Sequence, residues 1–162
     1  RDRLRVDHIG FVFQQFNLLP YLSVLDNVLL PVQCSARRRS RAVSQPATQA
    51  AGSMVNHTDK RTVSDSALEC LAALGMDNLA DRKAAHLSVG QQQRVAVARA
   101  LLGNPDLIIA DEPSSAMDDE NQRQFMHLLL EQCQKTGAAL MMVSHDMRLE
   151  QYFQRHEKVG QI

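Results

Sequence analysis

Two continuous apolar runs with polar ends constrain this chain more than any other feature. Leu107-Ile108-Ile109-Ala110 runs into Asp111-Glu112, and Ala138 to Val143 runs into Ser144-His145. Runs this short that are apolar on both faces predict strands of a parallel sheet covered by helices. Between them Asp119 to Thr136 is long, polar on one side and closed by Gly137, which predicts a strand, helix, strand crossover. The fold class expected is therefore α/β, and 162 residues suffice for about one domain of this kind.

The remaining elements alternate in the same manner. His8 to Phe13 is a short β-rich run, and Val24 to Val32 reads as a helix opened by Ser23 and punctuated by Pro20 and Pro31. Asp65 to Leu74 and Val89 to Leu102 read as helices stopped by Gly75 and Gly103. A further helix is expected around Leu149 to Phe153. Residues 35–64 break the pattern, with Val43, Met54, Val55 and Val63 as their only larger apolar side chains. They carry Arg37, Arg38, Arg39, Arg41, Lys60 and Arg61 against Asp59, and the expectation is a solvated, flexible insertion. The alternative is a basic arm that touches lipid headgroups or a partner.

Composition excludes several classes. Hydrophobic residues at 44% and charged residues at 22% describe a globular chain rather than a disordered tail or a fibre. Eighteen basic and eighteen acidic residues cancel, so no global field draws in nucleic acid. Cys34, Cys70 and Cys133 form no C-x-x-C pair, which fits a reducing compartment. No apolar run approaches the roughly 18 residues that span a bilayer, and residues 1–20 lack the layout of a signal peptide.

Chemistry concentrates at the strand ends. Asp111 and Glu112 close a buried strand at the edge where open α/β sheets place ligands. One carboxylate there can hold Mg²⁺, directly or through water, while its neighbour polarises an attacking water. Ser88 stands as N-cap with Gln91 three residues on, and Gly90 lets other backbone approach; free N–H groups at such a helix start attract an anion such as a terminal phosphate.

In order along the chain, Leu87-Ser88-Val89-Gly90-Gln91-Gln92-Gln93-Arg94 through Leu101, Asp106 to Pro113, Ser115-Ala116-Met117-Asp118 and Val143-Ser144-His145-Asp146 resemble the signature, Walker B, D-loop and switch-histidine motifs of ATP-binding cassette (ABC) ATPases. Ile9 to Gln14 and the residues to Val28 resemble the family's Q-loop segment. The wording from Phe13 to Pro31 is most similar to ATPases of lipoprotein-releasing and macrolide-export systems.

The resemblance implies a P-loop NTPase (RecA-like) parallel-sheet core with an ABC helical subdomain. Residues 1–162 would form a partial ATPase domain, with the helical subdomain at 18–90 and the motif-bearing core at 91–162. It implies ATP and Mg²⁺ as ligands, Glu112 as general base, His145 at the γ-phosphate, Asp111 on Mg²⁺, and Gln14 on Mg²⁺ and the attacking water. Ser88, Gly90, Gln91 and Asp118 would serve nucleotide held by a second ATPase domain in a head-to-tail dimer. The implied partners are transmembrane permease subunits, at the cytoplasmic face of the inner membrane, with membrane contact only through them.

Two departures stand out. Val89 occupies a place where the family usually has glycine, and no G-x-x-x-x-G-K-S/T phosphate loop occurs. That motif would lie ahead of Arg1, so the chain is expected to be truncated at its N-terminus and inactive alone. The alternative expectation is a non-catalytic module that only binds a partner. A repair or chromosome-maintenance ATPase fits less well, because residues 35–64 show no heptads.

Overall fold

The computed structural model describes residues 2–44, 62–115 and 117–158. The described elements run α1 (Asp2–His8), β1 (Ile9–Phe13), α2 (Val24–Cys34), α3 (Ala36–Ser44), α4 (Val63–Ala73), α5 (Val89–Leu101), β2 (Leu107–Asp111), α6 (Asp119–Thr136) and β3 (Ala139–Val143). Short 3-10 turns occur at Asp77–Leu79, Ala84–His86 and Met147–Tyr152, the last where a helix was expected around Leu149 to Phe153. The strands form one parallel sheet in the order β1-β2-β3, with Phe13, Asp111 and Val143 in register at its C-terminal edge. That alignment brings three chain segments to one rim.

The crossover read from the two apolar runs is present. Asp118 caps α6 by accepting the Asn121 N–H at 2.8 Å, and Gly137 closes it at φ 71°. Gly75 and Gly103, the other expected stops, also stand at positive φ. Thr62 and Asp65 cap α4 reciprocally, so that helix starts two residues ahead of the expected Asp65.

One face of the sheet is buried. Gly10, Val12, Ile108 and Ala110 lie beneath the helices, in a core shared with Val24, Val28 and Val32 of α2, Leu71 of α4, Val95 and Val97 of α5, and Met126 and Leu129 of α6. At Gly10 a Cβ would stand 2.3 Å from the Ala100 carbonyl oxygen, so glycine lets α5 rest directly on β1. The expectation that helices cover both faces holds for this face. On the other, Met141 and Val143 are half-exposed among the described residues, and the Phe11 and Phe13 rings stack with centroids 5.7 Å apart.

Two further expectations require correction. Pro31 lies inside α2, which continues to Cys34. The stripe Val24, Val28, Val32 is fully buried, and that burial outweighs the roughly 3 kcal/mol that an interior proline costs.

The start of the stretch at 35–64 is packed helix rather than solvated chain. In α3, Arg38 is 3% exposed and Ala42 is buried. The Arg38 guanidinium donates to the carbonyls of Leu102 (2.6 and 2.9 Å), Ala100 (2.6 Å) and Ile9 (3.4 Å). Arginine tolerates this site because its five N–H donors satisfy carbonyls left over at the end of α5. Burial lowers its pKa to about 10, which leaves it charged at neutral pH. The Ser66 hydroxyl, in the first turn of α4, donates to the Ala42 carbonyl of α3, so these two helix ends meet. Residues 45–61, the remainder of the expected insertion apart from its end, lie outside the described residues.

Candidate functional site

Three strand ends converge on Glu112. The residue follows β2 with φ 44°, a left-handed backbone that costs a non-glycine residue about 1 kcal/mol. Its N–H donates to the Val143 carbonyl at 2.9 Å, which extends the β2–β3 ladder by one bond and holds this conformation. The carboxylate then faces the segment after β3. It accepts the Ser144 hydroxyl at 3.2 Å, the His145 backbone N–H at 2.9 Å and His145 Nδ1 at 2.7 Å. The hydrogen bond and charge of Glu112 raise the pKa of the exposed His145 ring above its ordinary value. Glu112 therefore has an ionisable partner and a carboxylate still partly open to solvent.

Gln14 approaches the same rim from β1. Its amide Nε2 donates to Ser115 Oγ at 3.0 Å, and the Ser115 N–H donates to the Glu112 carbonyl. The amide oxygen of Gln14 remains as an acceptor or neutral ligand. Asp111 ends β2 on the open face, exposed. A cavity of about 440 Å³ opens here, with Glu112, Ser114, Ser115, Ser144, His145 and Asp146 among its lining residues.

A second cluster forms where α5 and α6 begin. Ser88 Oγ accepts the Gln91 N–H at 3.3 Å and Gln91 Oε1 accepts the Ser88 N–H at 3.0 Å, the reciprocal cap read from the spacing. Apart from its own helix backbone and chain neighbours, Gly90 has no heavy atom within 4 Å of where a Cβ would stand, and Val89 is 58% exposed. Gly90 and Asp118 line a cleft of about 310 Å³ together with Gln93, Arg94 and Asn121. Hydrogen bonds from Asn121 hold the Asp118 carboxyl below the usual carboxylate range.

The sequence-derived residues thus fall into two groups. Gln14, Asp111, Glu112 and His145 gather at the strand ends, whereas Ser88, Gly90, Gln91 and Asp118 gather at the helix starts. Met117 lines both cavities.

Several residues of the site were not legible beforehand. Arg99, 9% exposed on α5, donates to the carbonyls of Phe16 and Asn17, two residues in left-handed conformation just after Gln14. Gln122 on α6 bridges Ser114 and Asp146. A signal for Gln122 existed, since it occupies the apolar stripe of α6 with Phe125, Met126, Leu129 and Cys133. A polar side chain on such a stripe needs a partner.

A parallel sheet with carboxylates at its C-terminal rim, beside an open helix start, is an α/β arrangement that many ligand-binding folds share, and the solved structures it superposes on are ABC ATPase cassettes of the P-loop NTPase fold. The family model described as ABC transporter matches residues 2–115, and the chain belongs to that family. The uncharacterized ABC transporter ATP-binding protein MJ0796 of Methanocaldococcus jannaschii is 38% identical over 154 residues, covering 94% of this chain and 58% of its own length. The lipoprotein-releasing system ATP-binding protein LolD 2 of Caulobacter vibrioides is 32% identical, covering 96% of this chain and 59% of its own length. The macrolide export ATP-binding/permease protein MacB of a Shewanella species is 36% identical, covering 94% of this chain and 20% of its own length.

Among solved structures, the dimeric MJ0796 cassette superposes with a TM-score of 0.65 at 37% identity, covering 93% of this chain and 58% of that one. A second MJ0796 dimer, described as a post-hydrolysis state bound to ADP and Pi, gives a TM-score of 0.64 with the same coverage. The chain therefore spans between one-fifth and three-fifths of the length of these relatives.

Proposed function

We propose that this chain forms the larger part of the ATP-binding and ATP-hydrolysing subunit of an ABC transporter, powering export or release of a substrate through transmembrane permease subunits. The observation that carries the reading is the Glu112–His145 pair at the joined ends of β2 and β3, within a chain of this family. The export sense draws its support from the names of the LolD and MacB relatives.

In this reading Glu112 is the general base. Its carboxylate accepts a proton from the attacking water, and the strained backbone directs it into the cavity rather than along the strand. His145 lies within hydrogen-bond reach of Glu112 and donates to a γ-phosphate oxygen as charge develops there. Gln14 orients the water and reports occupancy to the permease, and Asp118 belongs to the loop between the two ATPase domains.

Asp111 and Gln14 would hold Mg²⁺. Among the described residues no group of three or more His, Cys, Asp or Glu gathers as a metal cage. An exposed carboxylate and an amide oxygen are hard donors that suit an ion held mostly by water and phosphate oxygens. When bound, Mg²⁺ neutralises charge on the phosphates.

Ser88, Gly90 and Gln91 form a half-site for nucleotide held by a second ATPase domain. The separation of the two clusters and the dimeric MJ0796 cassette support this head-to-tail arrangement. Residues 18–90 act as the helical subdomain against the permease and 91–162 as the motif-bearing core, peripheral at the cytoplasmic face of the inner membrane. Among the described residues no helix is long and apolar enough to cross a membrane.

The test uses natively expressed protein, with its mass and N-terminus read first. Replacing Glu112→Gln should lower Mg²⁺-dependent ATP hydrolysis at least roughly 100-fold while an ATP-bound dimer accumulates on gel filtration. Unchanged turnover would remove Glu112 from the role of base. A native start at Arg1 with no ATP binding would instead favour the partner-binding module.

A further inference from the structure

Beyond the residues the family resemblance marks, Gln122 joins two loops of the site. It sits in the first turns of α6 and is 6% exposed. Its two amide hydrogens go in different directions, to Ser114 Oγ at 3.3 Å and to Asp146 Oδ2 at 2.9 Å. Ser114 belongs to the segment that leaves Glu112 toward α6, and Asp146 follows His145. One buried side chain therefore spans both.

The Asp146 end is strongly fixed. Arg148 chelates the Asp146 carboxylate through Nε (2.9 and 3.1 Å) and Nη2 (2.7 Å), and its Nη1 reaches Asp119 in the first turn of α6. These contacts hold the Asp146 carboxyl well below the usual carboxylate range. The Asp146 N–H donates to Ser144 Oγ at 3.1 Å, and that hydroxyl donates to Glu112 Oε2. A continuous path runs from Gln122 through Asp146 and Ser144 to the Glu112 carboxylate.

We propose that Gln122 is a positioning residue: its amide clamps the segment after β2 to the segment after β3 and so holds Ser144 and His145 against Glu112. This inference rests on the hydrolytic reading for its kinetic consequence but not for its geometry. Arg148 keeps Asp146 near α6 without Gln122, whereas no other side chain bonds Ser114 and Asp146 together among the described residues. Removing the amide frees one loop relative to the other and leaves the β2–β3 register intact.

The test compares Gln122→Ala and Gln122→Glu with the unmutated chain. Alanine suits a helix interior and removes both bonds, while glutamate keeps the length but sets a carboxylate against that of Asp146. Hydrogen exchange of the His145 backbone amide, which donates to Glu112, is read by NMR without nucleotide. In both variants its protection should fall by about tenfold, the scale expected for a lost hydrogen bond to a charged group, with β2 and β3 amides unchanged.

In hydrolysing preparations kcat should drop by a similar factor and KM for ATP should hold within about twofold. Unchanged His145 protection in folded Gln122→Glu protein, or an equal loss of protection across β2 and β3, would overturn the clamp. If natively expressed, unmutated protein hydrolyses no ATP with Mg²⁺, the hydrolytic reading fails while the exchange result still decides the clamp.

Discussion

The two ends of α5 are built in opposite ways. At the start, Ser88 and Gln91 supply a light reciprocal cap, Val89 is exposed, and Gly90 faces open space. The N–H groups of Val89 and Gly90 have no carbonyl within the helix to receive them. At the finish, Ala98, Ala100, Leu101 and Leu102 are buried, Gly10 admits the helix backbone, and Arg38 covers the leftover carbonyls. One end leaves backbone donors uncapped, and the other has its Ala100 and Leu102 carbonyls bonded by a buried guanidinium. The helix is open at its start and held at its finish.

The largest test of this contrast is Arg38→Ala, which strands the Ala100 and Leu102 carbonyls in the core. Stability should fall by about 4 kcal/mol, in the range seen when a buried charged group is lost, measured by urea denaturation. A loss below 1 kcal/mol would show that water or backbone can replace the guanidinium and that the far end is not anchored. Gly10→Ala probes the same anchor from β1. Its new methyl meets a backbone oxygen, and a cost of about 2 kcal/mol is expected as α5 shifts outward. Ser88→Ala should cost only about 1 kcal/mol, and Ser88→Gly a few tenths. If Ser88→Ala matched Arg38→Ala, the light cap would be the real anchor and the comparison would reverse.

The asymmetry also marks where sequence reading succeeds. Local rules sufficed at the start of α5, because Ser88 and Gln91 are three residues apart and bond each other. The strand, helix, strand unit from Leu107 to Val143 was legible for a similar reason: periodicity and a closing glycine act over a few residues. Arg38 was hidden among four arginines that read as a solvated run, since what buries it is a carbonyl 64 residues away. The site divides along the same line. Glu112 and Ser88 stood out from local pattern, and motif resemblance added His145 and Gln14 and gave all four their expected roles. Gln122, Arg99 and the left-handed Glu112 backbone depend on pairings between distant segments, and only the polar interruption of an apolar stripe hinted at Gln122.

The meeting of α3 and α4 through Ser66 and Ala42 has a consequence for how this protein can vary. Because both helix ends are held side by side by their own contacts, bringing them together does not rely on the length of the chain that joins them. Closure entropy grows only with the logarithm of length, about 0.6 kcal/mol per doubling. The pairing of α3 with α4 is therefore expected to tolerate changes of chain length between them at little cost in stability, so that sequence variation there and conservation of the strand-end rim can proceed independently.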